Sequence, residues 1–154
     1  MVVGRNPLVT FIRLILTVSI ILIVTKTILL PIRVTGHSME PTYRDGRFNM
    51  LNLLAYQRSE PKRGDVVGIR RTGHRMIVLK RILGLPGERV LLRGGVVRIN
   101  GVPLEEPYAR GHSIPSMKRE IELGPTQYFA VGDNRDVTAY SDIERSEILG
   151  KILF

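Results

Sequence analysis

The sequence predicts a mainly β protein in two parts, one N-terminal helix able to cross a membrane and then a single antiparallel β-rich domain. Three features carry this expectation. Residues 8–32, LVTFIRLILTVSIILIVTKTILLPI, are apolar but for Arg13, Lys26, a few hydroxyls and a late proline. After Pro31 the texture turns to short β-branched runs punctuated by Gly, Pro and Asn, which favours strands over helices. Between these runs lie Gly94-Gly95 and Asn100-Gly101, dipeptides that tolerate positive φ and read as hairpin turns between antiparallel neighbours.

The apolar run comes first. About 25 residues at roughly 1.5 Å each are enough to cross a hydrocarbon core of about 30 Å. Arg13 and Lys26 fall near its opposite ends, where long side chains snorkel to the headgroups. A cleavable leader is the competing reading, with Arg5 and Arg13 as its basic start and residues 14–24 as its apolar centre. The first alanine of the chain is Ala55, so no alanine-based cleavage site follows. Residues 1–32 are therefore expected to be a tail and a retained anchor, and residues 33–154 the folded domain. Basic residues flank the run on both sides, so charge does not fix its orientation.

In the domain, strands are expected over residues 65–71 (DVVGIRR), 75–83 (RMIVLKRIL), 89–92 (RVLL), 96–100 (VVRIN), 118–123 (KREIEL) and 127–131 (QYFAV). Residues 110–116, with Ser, Gly and Pro, read as an exposed loop, and the stretch from Ser141 as holding a short helical turn. No internal repeat or low-complexity tract interrupts this order.

Composition removes several kinds of chemistry. Cysteine is absent, which excludes disulfides, a thiol nucleophile and a thiolate zinc site. The remaining carboxylates and histidines lack a convincing metal-ligand spacing, and no metal or cofactor is expected. A net charge of +9 suits either nucleic acid or an anionic membrane surface. Aromatic residues are not interleaved with Arg and Lys as a base-stacking platform requires, so lipid is the expected partner and nucleic acid is not.

Three segments carry reactive groups. In VTGHSMEPTY, Ser38 sits between Gly36 and Pro41 where a strand should be ending, a turn that would expose its hydroxyl and its backbone N–H. A serine hydroxyl is a poor nucleophile until a base takes its proton. None of the three histidines, His37, His74 and His112, stands in a recognisable triad context. The other candidate base is Lys80, which on a strand shares a face with Met76, Val78 and Ile82. Holding a lysine neutral at pH 7 costs roughly 4.6 kcal/mol, a sum that burial among apolar groups can supply. Pattern alone leaves open that Lys80 merely snorkels from a sheet edge. It likewise leaves open that Asp133, Asn134 and Arg135, in VGDNRDVT, are a plain polar turn.

Taken in order, GHSMEPT, PKRGDVV, VLKRILGLPGE, INGVPLEEPY and FAVGDNRD resemble the type I signal peptidases, over nearly all of residues 33–154. The resemblance implies a β-rich catalytic domain on the outer face of a bacterial cytoplasmic membrane, anchored by a single pass, that removes signal peptides from secretory preproteins after small-x-small sites. It implies no cofactor. It makes Ser38 the nucleophile and Lys80 the general base, with the Ser38 amide as an oxyanion donor. Many family members have a serine two residues before the nucleophile as a second donor, and here that residue is Gly36. Thr138 falls where the family has a lysine-orienting serine, Asp133 and Arg81 would support the site, and Asp142 and Arg145 are displaced candidates for a further Asp and Arg. Met39, Tyr43 and Leu79 would line the shallow pockets for small substrate residues, or else belong to the general core. Two other functions fit less well. One is a specialised relative that processes a dedicated precursor of conjugation or pilus type with the same site residues. The other is a non-enzymatic, membrane-tethered basic β module, which the presence of both Ser38 and Lys80 disfavours.

Overall fold

The computed structural model describes residues 6–70 and 76–153. Helix α1 spans Pro7–Thr27. Asn6 caps it, its side-chain oxygen accepting the Leu8 amide at 3.2 Å, and Pro7 follows at the first helical position, where the missing N–H is no loss. Thr17 and Thr27 fold their hydroxyls back onto the carbonyls of Arg13 and Ile23, so these polar groups are satisfied within the helix. The apolar side chains of α1 stand clear of the rest of the chain, and by length and composition the helix can cross a membrane.

Strand β1, Leu29–Arg33, begins one residue after α1 ends. The apolar run of residues 8–32 is thus divided between helix and sheet, and the sheet begins ahead of the boundary read from hydropathy. Pro31 explains the division: it lacks an N–H and cannot continue a helix interior, yet it is tolerated at a sheet edge, where β1 lies.

The remaining strands are β2 (Phe48–Asn52), β3 (Val66–Ile69), β4 (Val78–Gly84), β5 (Arg89–Arg93), β6 (Val96–Ile99), β7 (Val102–Pro103), β8 (Ile121–Glu122), β9 (Gln127–Val131), β10 (Ser141–Glu144) and β11 (Ile148–Ile152). They form a seven-stranded sheet in the order β1-β2-β11-β3-β4-β9-β10 and a four-stranded sheet in the order β7-β6-β5-β8. All strand pairings are antiparallel, as the sequence predicted. Gly94 and Gly95 turn β5 into β6 with φ of 58° and 78°, and Asn100 and Gly101 turn β6 into β7 with φ of 51° and 85°.

Three clusters fill the interior. Leu83, Phe129 and Val131 of the larger sheet pack with Val90, Leu92, Val97 and Ile99 of the smaller one. On the other face of the larger sheet, Val67, Ile82, Ala130, Ile143 and Ile148 form a second cluster. The third, Val34, Met39, Val66, Leu79 and Ile152, lies where the chain leaving β1 approaches β3 and β4.

Several expectations change here. The strand expected over residues 118–123 shrinks to two residues, since Lys118, Arg119 and Glu120 are exposed. The loop at residues 110–116 is anchored, with Ile114 buried and the Asp136 carboxylate accepting the amides of His112 and Ser113. The helical turn expected after Ser141 is a 3₁₀ turn at Arg145–Glu147, flanked by β10 and β11. Arg71, His74 and Arg75 lie outside the described residues.

Candidate active site

Beyond β1 the chain stays hydrogen-bonded for one more residue, Val34, and then turns sharply. Gly36, at φ +90°, donates its amide to the Asp45 carboxylate at 2.8 Å, and a second turn closes where Tyr43 N–H donates to Met39 O at 2.9 Å. Ser38 sits between these turns. Its carbonyl accepts the Asn134 amide at 3.0 Å, while among the described residues its own amide and hydroxyl make no hydrogen bond. Ser38 lines a cleft of about 310 Å³, bounded on one side by residues 32–36 with Met39 and on the other by residues 76–79.

Lys80 is 7% exposed. Its Nζ donates to Thr138 Oγ1 at 2.5 Å and to Ala139 O at 3.1 Å, and no carboxylate pairs with it among the described residues. Burial alone pushes this amine down to about 8. The sequence expectation of an apolar face needs correction in its detail. Met76 is 72% and Val78 44% exposed, so the outer half of that face is open and lines the cleft. Lys80 is instead enclosed by Val67 and Ile82 beside it and by the loop carrying Thr138.

The Ser38 backbone and the Thr138 hydroxyl that holds Lys80 meet around Gly132. Its amide donates to Thr138 Oγ1 at 3.2 Å, which ties it to the Lys80 contact. A Cβ at this position would lie 2.3 Å from Ser38 O and 2.5 Å from Thr138 Oγ1, so only glycine lets the two segments approach so closely.

Asp133 and Arg81 come together beside this point. Arg81 donates from Nε and a terminal nitrogen to the two Asp133 oxygens at 2.8 and 2.6 Å, and Thr42 adds a hydroxyl donor at 2.5 Å. The same guanidinium lies 4.0 Å over the Tyr108 ring. Met39 and Leu79 line the cleft. Tyr43 does not, lining instead a separate shallow depression with Arg44, Arg47 and Phe48. The displaced candidates are elsewhere: Asp142 is exposed on β10, and Arg145 pairs with Glu60 at 2.7 Å and donates to Tyr56 O. His37 is exposed and 3.1 Å from Glu40, whose hydrogen bond raises the imidazole above its usual value. His112 contributes its backbone amide to Asp136. Thr42, Glu106 and Tyr108 are not among the candidates from sequence, although the GHSMEPT and EEPY segments hold them, and Arg135, left open as part of a plain polar turn, is instead buried at 1% exposure. No group of three or more His, Asp or Glu disposed to hold a metal occurs among the described residues.

A cleft-lining serine, and a buried lysine amine held by a loop that approaches the serine's carbonyl at Gly132, are groups of the kinds that a serine hydrolase with an amine base uses. The comparisons carry this further. The family described as "Signal peptidase, peptidase S26" matches residues 8–154, and the chain belongs to that family, as a serine endopeptidase of the signal peptidase type. It is 28% identical over 156 residues to signal peptidase IB of Staphylococcus aureus, covering 88% of this chain and 81% of the relative. With signal peptidase I of Bacillus amyloliquefaciens it shares 32% over 131 residues, or 79% of this chain and 68% of the relative. In fold it is similar to a crystallised signal peptidase I of Enterococcus faecalis, with a TM-score of 0.53 at 24% identity, covering 62% of this chain and 98% of that one.

Proposed function

We propose that the protein removes signal peptides from exported preproteins by a Ser38–Lys80 mechanism. Ser38 Oγ attacks the scissile carbonyl while its proton passes to Lys80 Nζ. The resulting ammonium protonates the departing amine as the C–N bond breaks, leaving an acyl-enzyme. Lys80, neutral again, takes a proton from the water that hydrolyses the ester, and Ser38 is regenerated. One observation carries this reading: a buried lysine has two acceptors, Thr138 Oγ1 and Ala139 O, and no anionic partner among the described residues. A neutral amine has two N–H donors and one lone pair, so these acceptors can occupy both donors and leave the lone pair for the serine proton. The unengaged Ser38 amide suits the developing oxyanion. The Gly36 amide is already committed to Asp45 and is not the second donor.

The cleft supports an extended peptide as substrate. β4 pairs with β9 only from Arg81 onward, so among the described residues the strand edge of residues 78–80 on that side has no ladder partner. Backbone addition along that edge would present alternate substrate side chains to a floor containing Met39 and Leu79. Residues small enough for such shallow sites, as in Ala-x-Ala, are the expected specificity.

The working form of Lys80 is the neutral amine, so kcat/KM should rise with pH through about 8. The same shift acts on folding. The unfolded lysine binds its proton up to its ordinary value while the folded one releases it near 8, so stability should rise with pH between about 8 and about 10.4. Cleavage of a small-x-small signal peptide by detergent-solubilised enzyme from pH 6 to 10 tests the first statement. A flat profile, or one that falls above pH 7, would refute the assignment of Lys80 as base.

We further propose that α1 anchors the chain in the cytoplasmic membrane by a single pass, with the β domain on the outer face where preproteins emerge. The apolar, unpacked surface of α1 supports this. Because β1 starts at Leu29, a truncation that spares the sheet must stop at Thr27. Removing residues 1–27 should leave a domain that sediments with anionic liposomes more weakly than the full chain does. Equal retention of both would remove the anchor.

A further inference from the structure

We infer that the buried Arg135–Glu106 pair is a positioning device for the reaction, holding the Gly132 peptide on which the Ser38 and Lys80 segments are seated; this rests on the Ser38–Lys80 reading. Arg135 is 1% exposed and is the bulkiest of the fully buried side chains. Its Nε donates to Gly132 O at 3.1 Å, and its two terminal nitrogens donate to the Glu106 oxygens at 3.1 and 2.5 Å. Gly132 is therefore held at both ends: its carbonyl by Arg135, and its amide on the Thr138 hydroxyl that Lys80 touches.

The remaining contacts of the pair lead back to the same site. Glu106 also accepts the Tyr108 hydroxyl at 3.2 Å, and the Tyr108 ring carries the Arg81 guanidinium that grips Asp133. The backbone repeats the link, with Arg110 N–H donating to Asp133 O at 2.8 Å and Arg135 N–H to Arg110 O at 2.6 Å. Burying an ion pair is a poor route to stability, since well-packed apolar residues of similar volume often serve as well or better. What a guanidinium adds is direction, because its rigid fork grips a carboxylate while its Nε aims a third donor at one carbonyl.

That distinction gives the test. The apolar double variant Arg135→Met/Glu106→Leu removes the aimed donor without leaving a buried charge. In full-length, detergent-solubilised enzyme acting on a synthetic signal peptide, kcat should fall about 10- to 100-fold with KM little changed, as expected when reacting groups lose alignment. Water should reach Lys80, so the inflection in kcat/KM should move above the wild-type pH. Arg135→Lys, which keeps a charge but not the fork, should behave the same way and carries the test if the double variant does not fold. Arg145→Met, which breaks the Glu60 pair away from the site, should leave both quantities unchanged. Folded Arg135 variants with wild-type kcat and inflection would overturn the inference while leaving the dyad reading intact. A Lys80→Ala enzyme of wild-type rate would overturn both.

Discussion

Ser38→Ala is expected to lower kcat by about four orders of magnitude or more, because removing the nucleophile of a serine protease abolishes the covalent route and leaves only the contribution of binding and oxyanion donors. Lys80→Ala should come close to the same loss, since the hydroxyl proton then has no acceptor. Lys80→Arg is the sharper variant. It preserves charge and approximate length, yet a guanidinium stays protonated at any working pH and cannot serve as a base. His37→Ala should keep most of the activity, because the imidazole is exposed and turned to Glu40. Single-turnover cleavage of a labelled signal peptide measures all four. A His37→Ala enzyme that is dead, or a Lys80→Arg enzyme of near-normal rate, would return the base to a histidine and sink the dyad.

Asp133→Ala should have the largest effect on stability. Asp133 is 1% exposed and takes three donors, two from Arg81 and one from Thr42. Removing it leaves a guanidinium largely shut off from water beside an empty acceptor site. Breaking a buried pair from one side typically costs about 3–5 kcal/mol, a large fraction of what holds a domain this size together. Asp133→Asn should lose less, because the amide oxygen still accepts from Arg81. Denaturant titration of the full chain in detergent, followed by far-UV circular dichroism, gives the midpoints. An Asp133→Ala midpoint indistinguishable from wild type would show that the carboxylate is not what holds Arg81.

Much of the sheet could be read from alternation and turn dipeptides, and the parts that could not share a physical cause. β5 and β6 announce themselves by β-branched residues around Gly94-Gly95, a local signal. β1 continues an apolar run without a break in composition, and β2, FNMLN, has no β-branched residue at all. Both are strands because of partners supplied from elsewhere, β2 lying between β1 and β11. The site divides in the same way. Period two put Lys80 on an apolar face, but the groups that hold its amine come from residues 138 and 139, a separation no local pattern encodes. The family resemblance, not the spacing, singled out Thr138. It also suggested Tyr43 for the substrate pockets, whereas the turn closed by its own amide directs this residue away from the cleft. Read from sequence, Glu106 has no role and Arg135 is left open as part of a polar turn, since their meeting depends on how the 104–117 stretch wraps the loop after β9.

The single residue between α1 and β1 has a consequence for how enzyme and substrate find each other. With α1 in a bilayer, Ile28 leaves no linker, and ten further residues lead to Ser38. Even fully extended, ten residues span no more than about 35 Å, and the turns at Gly36 and Ser38 shorten that. On the proposed anchoring, the Ser38 hydroxyl would be confined to the water within that distance of the lipid. A preprotein held in the same bilayer by its own leader meets the cleft by lateral diffusion in two dimensions, and only peptide bonds at matching depth come within reach. On that proposal the short join would act as a gauge, selecting bonds by their height above the membrane before any side chain is read.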